Sequence, residues 1–482
     1  MMAENIERSE ASSDDMRKML DRQKKAYLND GVVSNEVRHD RLERAVNVIK
    51  KNEENFIDAM SADFSHRSRH QSLFSDIALS ISPLRHAQKN LKRWRKSEKR
   101  SAIFPLNLLG AKARIDYQPL GVVGLISPWN FPINLTFAPL AGVLSAGNRV
   151  MIKPSEYTPE TSNAMAKAIS EEFDADEIAV VLGGPETGAS FSGLPFDHLL
   201  FTGATSIAKH VLSAAAQNLV PVTLELGGKS PVIVSESASM DSAAGAIMAG
   251  KMMNAGQICL SPDYVFLPKN RVQEFVESSK KAVAKTFPTL IDNPDYTSLI
   301  NEKHFDRLNS YIDEAKRKGV EVVEINPANE DFRQQHHNKI PPTLIIDPPE
   351  ELQVMQDEIF GPVMPIKSYD RIEETISYVN DRPRPLGLYY FGSNSKEESD
   401  VLNRTTSGGV TVNDVVMHYL QEDLPFGGIG PSGMGSYHGE DGFKRFSHAK
   451  AIYCQTKVGA VLDVLRPPYG DLFLKLAKFQ SK

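Results

Sequence analysis

Cysteine is nearly absent from this sequence: two occur in 482 residues, Cys259 and Cys454. So few thiols exclude a disulfide scaffold and a cysteine-rich zinc site, and they fit a reducing compartment. An excess of positive charge is also missing, since 55 Lys and Arg stand against 61 Asp and Glu for a formal net charge of −6. That balance gives no general attraction to polyanions, so the chain reads as one that binds no nucleic acid. No apolar run approaches the roughly 20 residues needed to span a bilayer, which speaks against stable membrane insertion. The opening fifteen residues, polar and acidic, have neither the apolar run of a secretory signal nor the Arg-rich pattern of a transit peptide. The chain therefore reads as cytoplasmic. Two glycine fingerprints are wanting as well. Gly433 to His438 fails the dinucleotide pattern at its last position, and Gly142 to Gly147 is followed by Asn148 where a triphosphate loop requires lysine.

What is present is an ordinary globular composition, 41% hydrophobic and 24% charged, long enough for two or three domains. Met16 to about Arg95 reads as helical, with Leu42, Val46, Ile49, Phe56 and Met60 near helical spacing. The basic run Lys89 to Arg100 reads as a solvated helix face with Trp94 turned inward. From about Ala111 the texture changes to short apolar strands, at Val122 to Ile126, Arg149 to Ile152, Ile178 to Leu182, His198 to Phe201 and Val222 to Leu226. Helix-length segments, Pro159 to Phe173 and Thr205 to Gln217, lie between them. This alternation predicts a doubly wound α/β layer, which binds ligands at the carboxyl ends of its strands.

Cys259 lies in Asn254-Ala255-Gly256-Gln257-Ile258-Cys259-Leu260-Ser261, among small and polar residues. Little bulk beside the thiol would leave it open to a substrate and its backbone N–H open to an oxyanion. A lone cysteine is more often a small buried hydrophobe, so its company decides. Upstream stand Pro128-Trp129-Asn130-Phe131-Pro132, Lys153-Pro154-Ser155-Glu156, Phe201-Thr202-Gly203-Ala204-Thr205 and Leu224-Glu225-Leu226-Gly227-Gly228-Lys229. Downstream come Glu358-Ile359-Phe360-Gly361-Pro362 and Pro425-Phe426-Gly427-Gly428. These blocks in this order resemble the NAD(P)-dependent aldehyde dehydrogenase superfamily, over about residues 100 to 455. The closing segment resembles its class 3 branch, and Asp63 to His70 is similar to bacterial coniferyl aldehyde dehydrogenases.

The resemblance implies two doubly wound α/β domains plus a small β oligomerisation extension. Residues 1–103 and 121–226 would form the dinucleotide-binding domain and 227–418 the catalytic domain. Residues 104–120 and 419–482 would supply the extension and tail that join a homodimer. Cys259 would attack the aldehyde carbon, Asn130 and the Cys259 N–H would hold the oxyanion, and Glu225 would activate water against the thioester. The site would have to favour the thiolate. Cofactor contacts would come from Ser127, Trp129, Lys153, Glu156, Gly203, Thr205, Leu226, Glu358 and Phe360. Glu156 would repel a 2′-phosphate and favour NAD, with NADP as a second acceptor. No residue is expected to hold a metal, and His336-His337 reads as a solvated loop.

Glu225 favours hydrolysis to a free acid, since relatives that transfer to coenzyme A commonly lack it. The expected substrate is coniferyl aldehyde, with a medium-chain or fatty aldehyde as the alternative, in a funnel including Met252, Met253 and Tyr419. A Cys–His hydrolase is the alternative from another class, and it would leave Lys153 and Glu358 without a purpose. Cys454 reads as a structural strand residue. Asp471 to Lys482 reads as an amphipathic helix docking on a subunit.

Overall fold

Apolar strands that are buried on both faces need a layer of helices on each side, and the region from Val122 to Glu225 supplies both. A computed structural model describes residues 11–481 and shows three sheets. Most of the acidic opening segment and the last residue of the tail lie outside the described residues.

The first sheet has six strands in the order Gly433–Met434, Val222–Glu225, His198–Thr202, Val122–Ile126, Arg149–Lys153, Ile178–Val180. All pair in parallel except Gly433–Met434, which pairs antiparallel with Val222–Glu225. The chain leaves Val122–Ile126 toward one edge and returns to build toward the other, so the order reverses between this strand and His198–Thr202, where a doubly wound sheet binds its ligand at the carboxyl ends.

One face is covered by Asn35–Lys51, Glu53–Asp63, Leu79–Trp94 and Asn134–Ala146. Leu42, Val46, Ile49, Phe56 and Met60 are fully buried there, and Trp94 turns inward against Phe443 while Lys89, Lys92 and Arg93 face solvent. Every residue of Asn134–Ala146 is buried, and Gly147 ends it with φ of 91°. The expected helical run is interrupted at residues 64–68 and again by a π-helical stretch, Ser72–Ala78.

The second sheet has seven strands in the order Val322–Glu324, Thr343–Ile346, Val363–Tyr369, Tyr264–Pro268, Pro231–Val234, Gly387–Phe391, Gly409–Val412. Only its first pairing is antiparallel. The third sheet is antiparallel, with Lys112–Pro119 between Glu98–Arg100 and Ser447–Cys454. Cys454 ends the strand Ser447–Cys454 as expected but is exposed there, and its Sγ accepts from Arg114 Nη1 at 3.6 Å. The tail forms the helix Asp471–Gln480 with no buried residue, and Phe479 meets Phe104 at 6.5 Å. His336 is exposed, and the half-buried His337 ring meets His66 at 5.9 Å.

Candidate active site

The carboxyl ends of the first sheet collect most of the residues singled out from sequence. Ser127 follows Val122–Ile126; its N–H donates to the Lys153 carbonyl at 3.1 Å and its Oγ accepts from Thr136 Oγ1 at 2.8 Å. Lys153 ends its strand fully buried, and its Nζ donates to the exposed Glu156 Oε2 at 2.8 Å. The Gly203 N–H donates to the Glu225 carbonyl at 3.0 Å. Thr205 opens the helix Thr205–Ala216, and its hydroxyl donates to the Pro431 carbonyl at 3.2 Å. Ala204 at the N-cap offers that helix no side-chain acceptor, which leaves its first-turn N–H groups to a ligand. Leu226 is buried, and its N–H donates to the Ser432 carbonyl at 3.1 Å.

The cysteine sits on a tight backbone turn. After Met240–Met252, Asn254, Ala255 and Gly256 take φ of 48°, 51° and 74°. A Cβ on Gly256 would lie 2.3 Å from the Gly361 carbonyl oxygen, so only glycine fits. Gln257 pins the turn: its Nε2 donates to the Asn254 and Ser298 carbonyls, each at 3.0 Å, and its Oε1 accepts from the Ile300 N–H at 3.0 Å. Tyr389 Oη donates to the Leu260 carbonyl at 2.5 Å. Asn130 Nδ2 donates to the Gln257 carbonyl at 3.1 Å, which brings this amide beside the cysteine turn and leaves its second hydrogen to point elsewhere.

The electrostatics of the thiol differ from the expectation of a site that favours the anion. Burial, followed by the charges of Glu358 and Glu225, pushes the Cys259 thiol up to about 12. The N–H groups of Cys259 and Leu260 oppose that shift by donating to the sulfur. Desolvation outweighs the two backbone donors at this half-buried thiol. Glu225 is fully desolvated, neither carboxyl oxygen has a hydrogen-bond partner, and burial raises it well above the ordinary carboxylate range. Glu358 is raised to about 8 by burial and by Asp263, against a hydrogen bond from the Gly228 N–H and the charge of Lys229.

Glu358 is held by close packing. A Cβ on Gly227 would lie 2.1 Å from its Oε1, an oxygen that is buried without a partner. Lys229 Nζ donates to Asp263 Oδ1 at 2.5 Å and to the Val354 and Asp357 carbonyls at 2.8 Å, while Asp263 Oδ2 accepts from the Ile359 N–H at 2.9 Å. Phe360 takes φ of 49°, and its ring stands edge-on to Trp129 at 5.3 Å, the same distance that separates Trp129 from His304.

The residues named from sequence thus fall into two adjoining groups, Cys259 with Asn130, Glu225 and Glu358, and the strand-end set from Ser127 to Leu226. Of the expected funnel residues, Met252 is buried in the core of the second sheet. Met253 lines a cavity of about 340 Å³ with His70, Gln71, Phe74, Ser75 and Asp295, and Tyr419 Oη donates to Asn134 Oδ1. Sequence reasoning passed over Gln257, Lys229 and Asp263, although the first two stand inside the quoted blocks. It also missed Lys251, whose buried ammonium donates to the Pro262 carbonyl at 2.9 Å and is lowered by burial to about 7.

Comparison with known proteins agrees with this geometry. The model of the aldehyde dehydrogenase family matches residues 4–452. A probable coniferyl aldehyde dehydrogenase of Caulobacter vibrioides is 55% identical over 476 residues, 98% of each chain. A coniferyl aldehyde dehydrogenase of a Pseudomonas species is 52% identical over 94% of this chain and 93% of its own. A substrate-bound structure of Staphylococcus aureus AldH superposes with a TM-score of 0.89 at 34% identity, covering 96% of this chain and 98% of that one. The chain belongs to the aldehyde dehydrogenase family.

Proposed function

We propose that the protein oxidises an aromatic propenal, coniferyl aldehyde first, to its carboxylic acid with NAD as acceptor. The observation that carries the chemistry is the meeting of Asn130 and Glu225, from the ends of the first sheet, with the Cys259 turn that follows Met240–Met252. Near-full-length identity to two coniferyl aldehyde dehydrogenases narrows the substrate. In this reading the Cys259 thiol releases its proton to solvent as its sulfur bonds to the aldehyde carbon, and the carbonyl oxygen becomes an oxyanion held by the Asn130 amide and the Cys259 N–H. When bound, NAD accepts the hydride that leaves this carbon. The resulting thioester on Cys259 is attacked by a water whose proton passes to Glu225, the acid departs, and the thiol is restored. Burial raises the proton affinity of Glu225 and neither of its oxygens is tied to a partner, so its ionised form is suited to take that proton.

The residues present suit the dinucleotide. An orphaned Glu358 Oε1 and the Lys153 Nζ are hydroxyl partners, and the uncapped start of Thr205–Ala216 suits the pyrophosphate. Ser127, Gly203 and Leu226 shape that crevice, Trp129 faces the pyrophosphate, and Phe360 packs beside the nicotinamide ribose. Glu156 disfavours a 2′-phosphate, with NADP as the weaker acceptor. The cavity lined by Phe74 and Met253 adjoins the cysteine turn through Gln71, whose Oε1 accepts from the Asn254 N–H at 2.8 Å, and is read as the substrate's way in.

We further read a dinucleotide domain, a catalytic domain and a β extension near the boundaries expected from sequence, corrected in that Glu98–Arg100 pairs within the extension's sheet and Gly433–Met434 within the dinucleotide domain's. The three-stranded sheet then serves a homodimer, and the protein works in the cytoplasm. No described helix is long and apolar enough to cross a membrane.

The test is NADH formation with coniferaldehyde, benzaldehyde, hexanal and decanal, with NAD and NADP, alongside Cys259→Ala and Asn130→Ala. Preference for coniferaldehyde with NAD, lost in Cys259→Ala and cut about 10²- to 10³-fold in kcat by Asn130→Ala, is expected. Preference for decanal moves the enzyme to fatty aldehydes, and an active Cys259→Ala refutes the mechanism.

A further inference from the structure

Beside Asn130 lies a buried charged pair that meets the site through the backbone of Asn130 and of the residues after Pro132. Arg67 comes from the loop after Glu53–Asp63, and Asp76 from the π-helical stretch Ser72–Ala78. Their side chains are 1% and 0% exposed, with Arg67 Nη2 donating to Asp76 Oδ2 at 2.6 Å. Arg67 Nη1 donates to the Asn130 carbonyl at 2.8 Å, and the guanidinium lies 4.7 Å and 5.1 Å from the centres of the Phe64 and Phe131 rings. Asp76 Oδ1 accepts from the N–H groups of Ile133 and Asn134, each at 3.2 Å. One ion pair therefore grips the Pro128–Pro132 turn at two points, the carbonyl of Asn130 and the amides that follow Pro132. Asn254 Nδ2 adds a second donor to the Asn130 carbonyl at 3.1 Å.

A buried ion pair is a poor source of stability, because well-packed apolar residues often serve as well or better. What it supplies is direction, and here all the directed bonds converge on one turn. The planar guanidinium reaches two acceptors at fixed angles, which an ammonium cannot do. The wider π turn is an uncommon conformation that recurs at functional sites, and it carries the aspartate.

We infer that Arg67 and Asp76 are positioning residues that fix the Asn130 amide where the oxyanion develops. This rests on the reading of Asn130 as an oxyanion donor. Such a donor acts only in register with the developing charge, and a displacement of about 1 Å can cost on the order of 10²-fold in rate.

The test uses the full chain with Arg67→Met, Arg67→Lys, Asp76→Asn, Asn130→Ala and the double variant Arg67→Met/Asn130→Ala. For each, kcat and KM for coniferaldehyde are measured at saturating NAD, with the rate of Cys259 alkylation as a readout independent of Asn130. Arg67→Met and Asp76→Asn are expected to lose about 10- to 100-fold in kcat, with KM within about threefold and alkylation unchanged. Arg67→Lys should recover part of the loss. In the Asn130→Ala background Arg67→Met should cost less than about threefold, because the group it positions is gone. If Arg67→Met does not fold, Asp76→Asn completes the same cycle. Losses that multiply in full, a change in KM instead of kcat, a parallel fall in alkylation, or parental kcat in both single variants would each overturn the inference. Parental kcat in Asn130→Ala would overturn the oxyanion assignment itself and the inference with it, whereas a loss there with active Arg67 and Asp76 variants overturns the inference alone.

Discussion

The thiol at the centre of the site should betray its burial in how its reactivity climbs with pH. Alkylation rate follows the thiolate fraction, so the Cys454→Ser variant, which removes the exposed second thiol, reports on Cys259 alone. With the group pushed up to about 12, the thiolate is about 3 in 10⁵ at pH 7.5 and about 3% at pH 10.5, a roughly thousandfold rise. At the ordinary value of 9.0 the same interval would raise the fraction only about thirtyfold and level off near the top. Second-order rates with iodoacetamide at half-unit steps, without cofactor and with the fold followed by circular dichroism, separate the two. A log-linear climb of about tenfold per pH unit is expected. A plateau before about pH 10 would refute the claim that desolvation outweighs the N–H groups of Cys259 and Leu260. Adding Glu225→Gln removes one of the opposing charges and should move the whole curve to lower pH.

Glu358 stands at about 8 when folded against an ordinary 4.5, so the unfolded chain ionises first and burying this group costs stability increasingly as pH rises from 4.5 to 8. Glu358→Gln should therefore raise stability by up to about 3 kcal/mol at pH 7, with no gain at pH 4, while NAD affinity falls; denaturant titrations at both pH values check this. Gly256→Ala would place a Cβ 2.3 Å from a backbone oxygen at positive φ, and should lower kcat more than about tenfold and cost upward of about 1 kcal/mol in stability, read by kinetics and thermal unfolding. Glu156→Gln removes the acid beside Lys153 and should raise kcat/KM with NADP by roughly tenfold relative to NAD. An unchanged ratio would show that this carboxylate does not discriminate.

Elements that rest on local pattern were legible in the sequence. All five strands expected between Val122 and Leu226 form, as do Pro159–Glu172 and Thr205–Ala216, because alternation of apolar runs with helix-length segments is a property of neighbouring residues. Gly227 and Gly256 stood inside quoted blocks, yet their reasons, a carboxylate at 2.1 Å and a carbonyl at 2.3 Å, come from residues more than a hundred positions away. Arg67 is the clearest case of what pattern cannot reveal. It stood inside a stretch quoted for its resemblance, but its burial against Asp76, Phe64 and Phe131 and its bond to Asn130, 63 positions on, appear only in the fold. The rise of the Cys259 thiol escaped for the same reason, since it follows from how much water the assembled fold removes.

The strand that carries Glu225 is closed at its edge by Gly433–Met434, with Leu226 bonded to Ser432. This makes competence a late event in the life of each molecule. A chain still on the ribosome can assemble the strands from Val122 to Glu225, but the one bearing Glu225, the base of the proposed mechanism, stays an open edge until more than two hundred further residues have emerged. At roughly 5–20 residues per second that is an interval of ten seconds or more in which the edge is exposed to strangers. Shortening the protein from its far end as far as Gly433 would therefore strip support from a residue that the deletion never reaches.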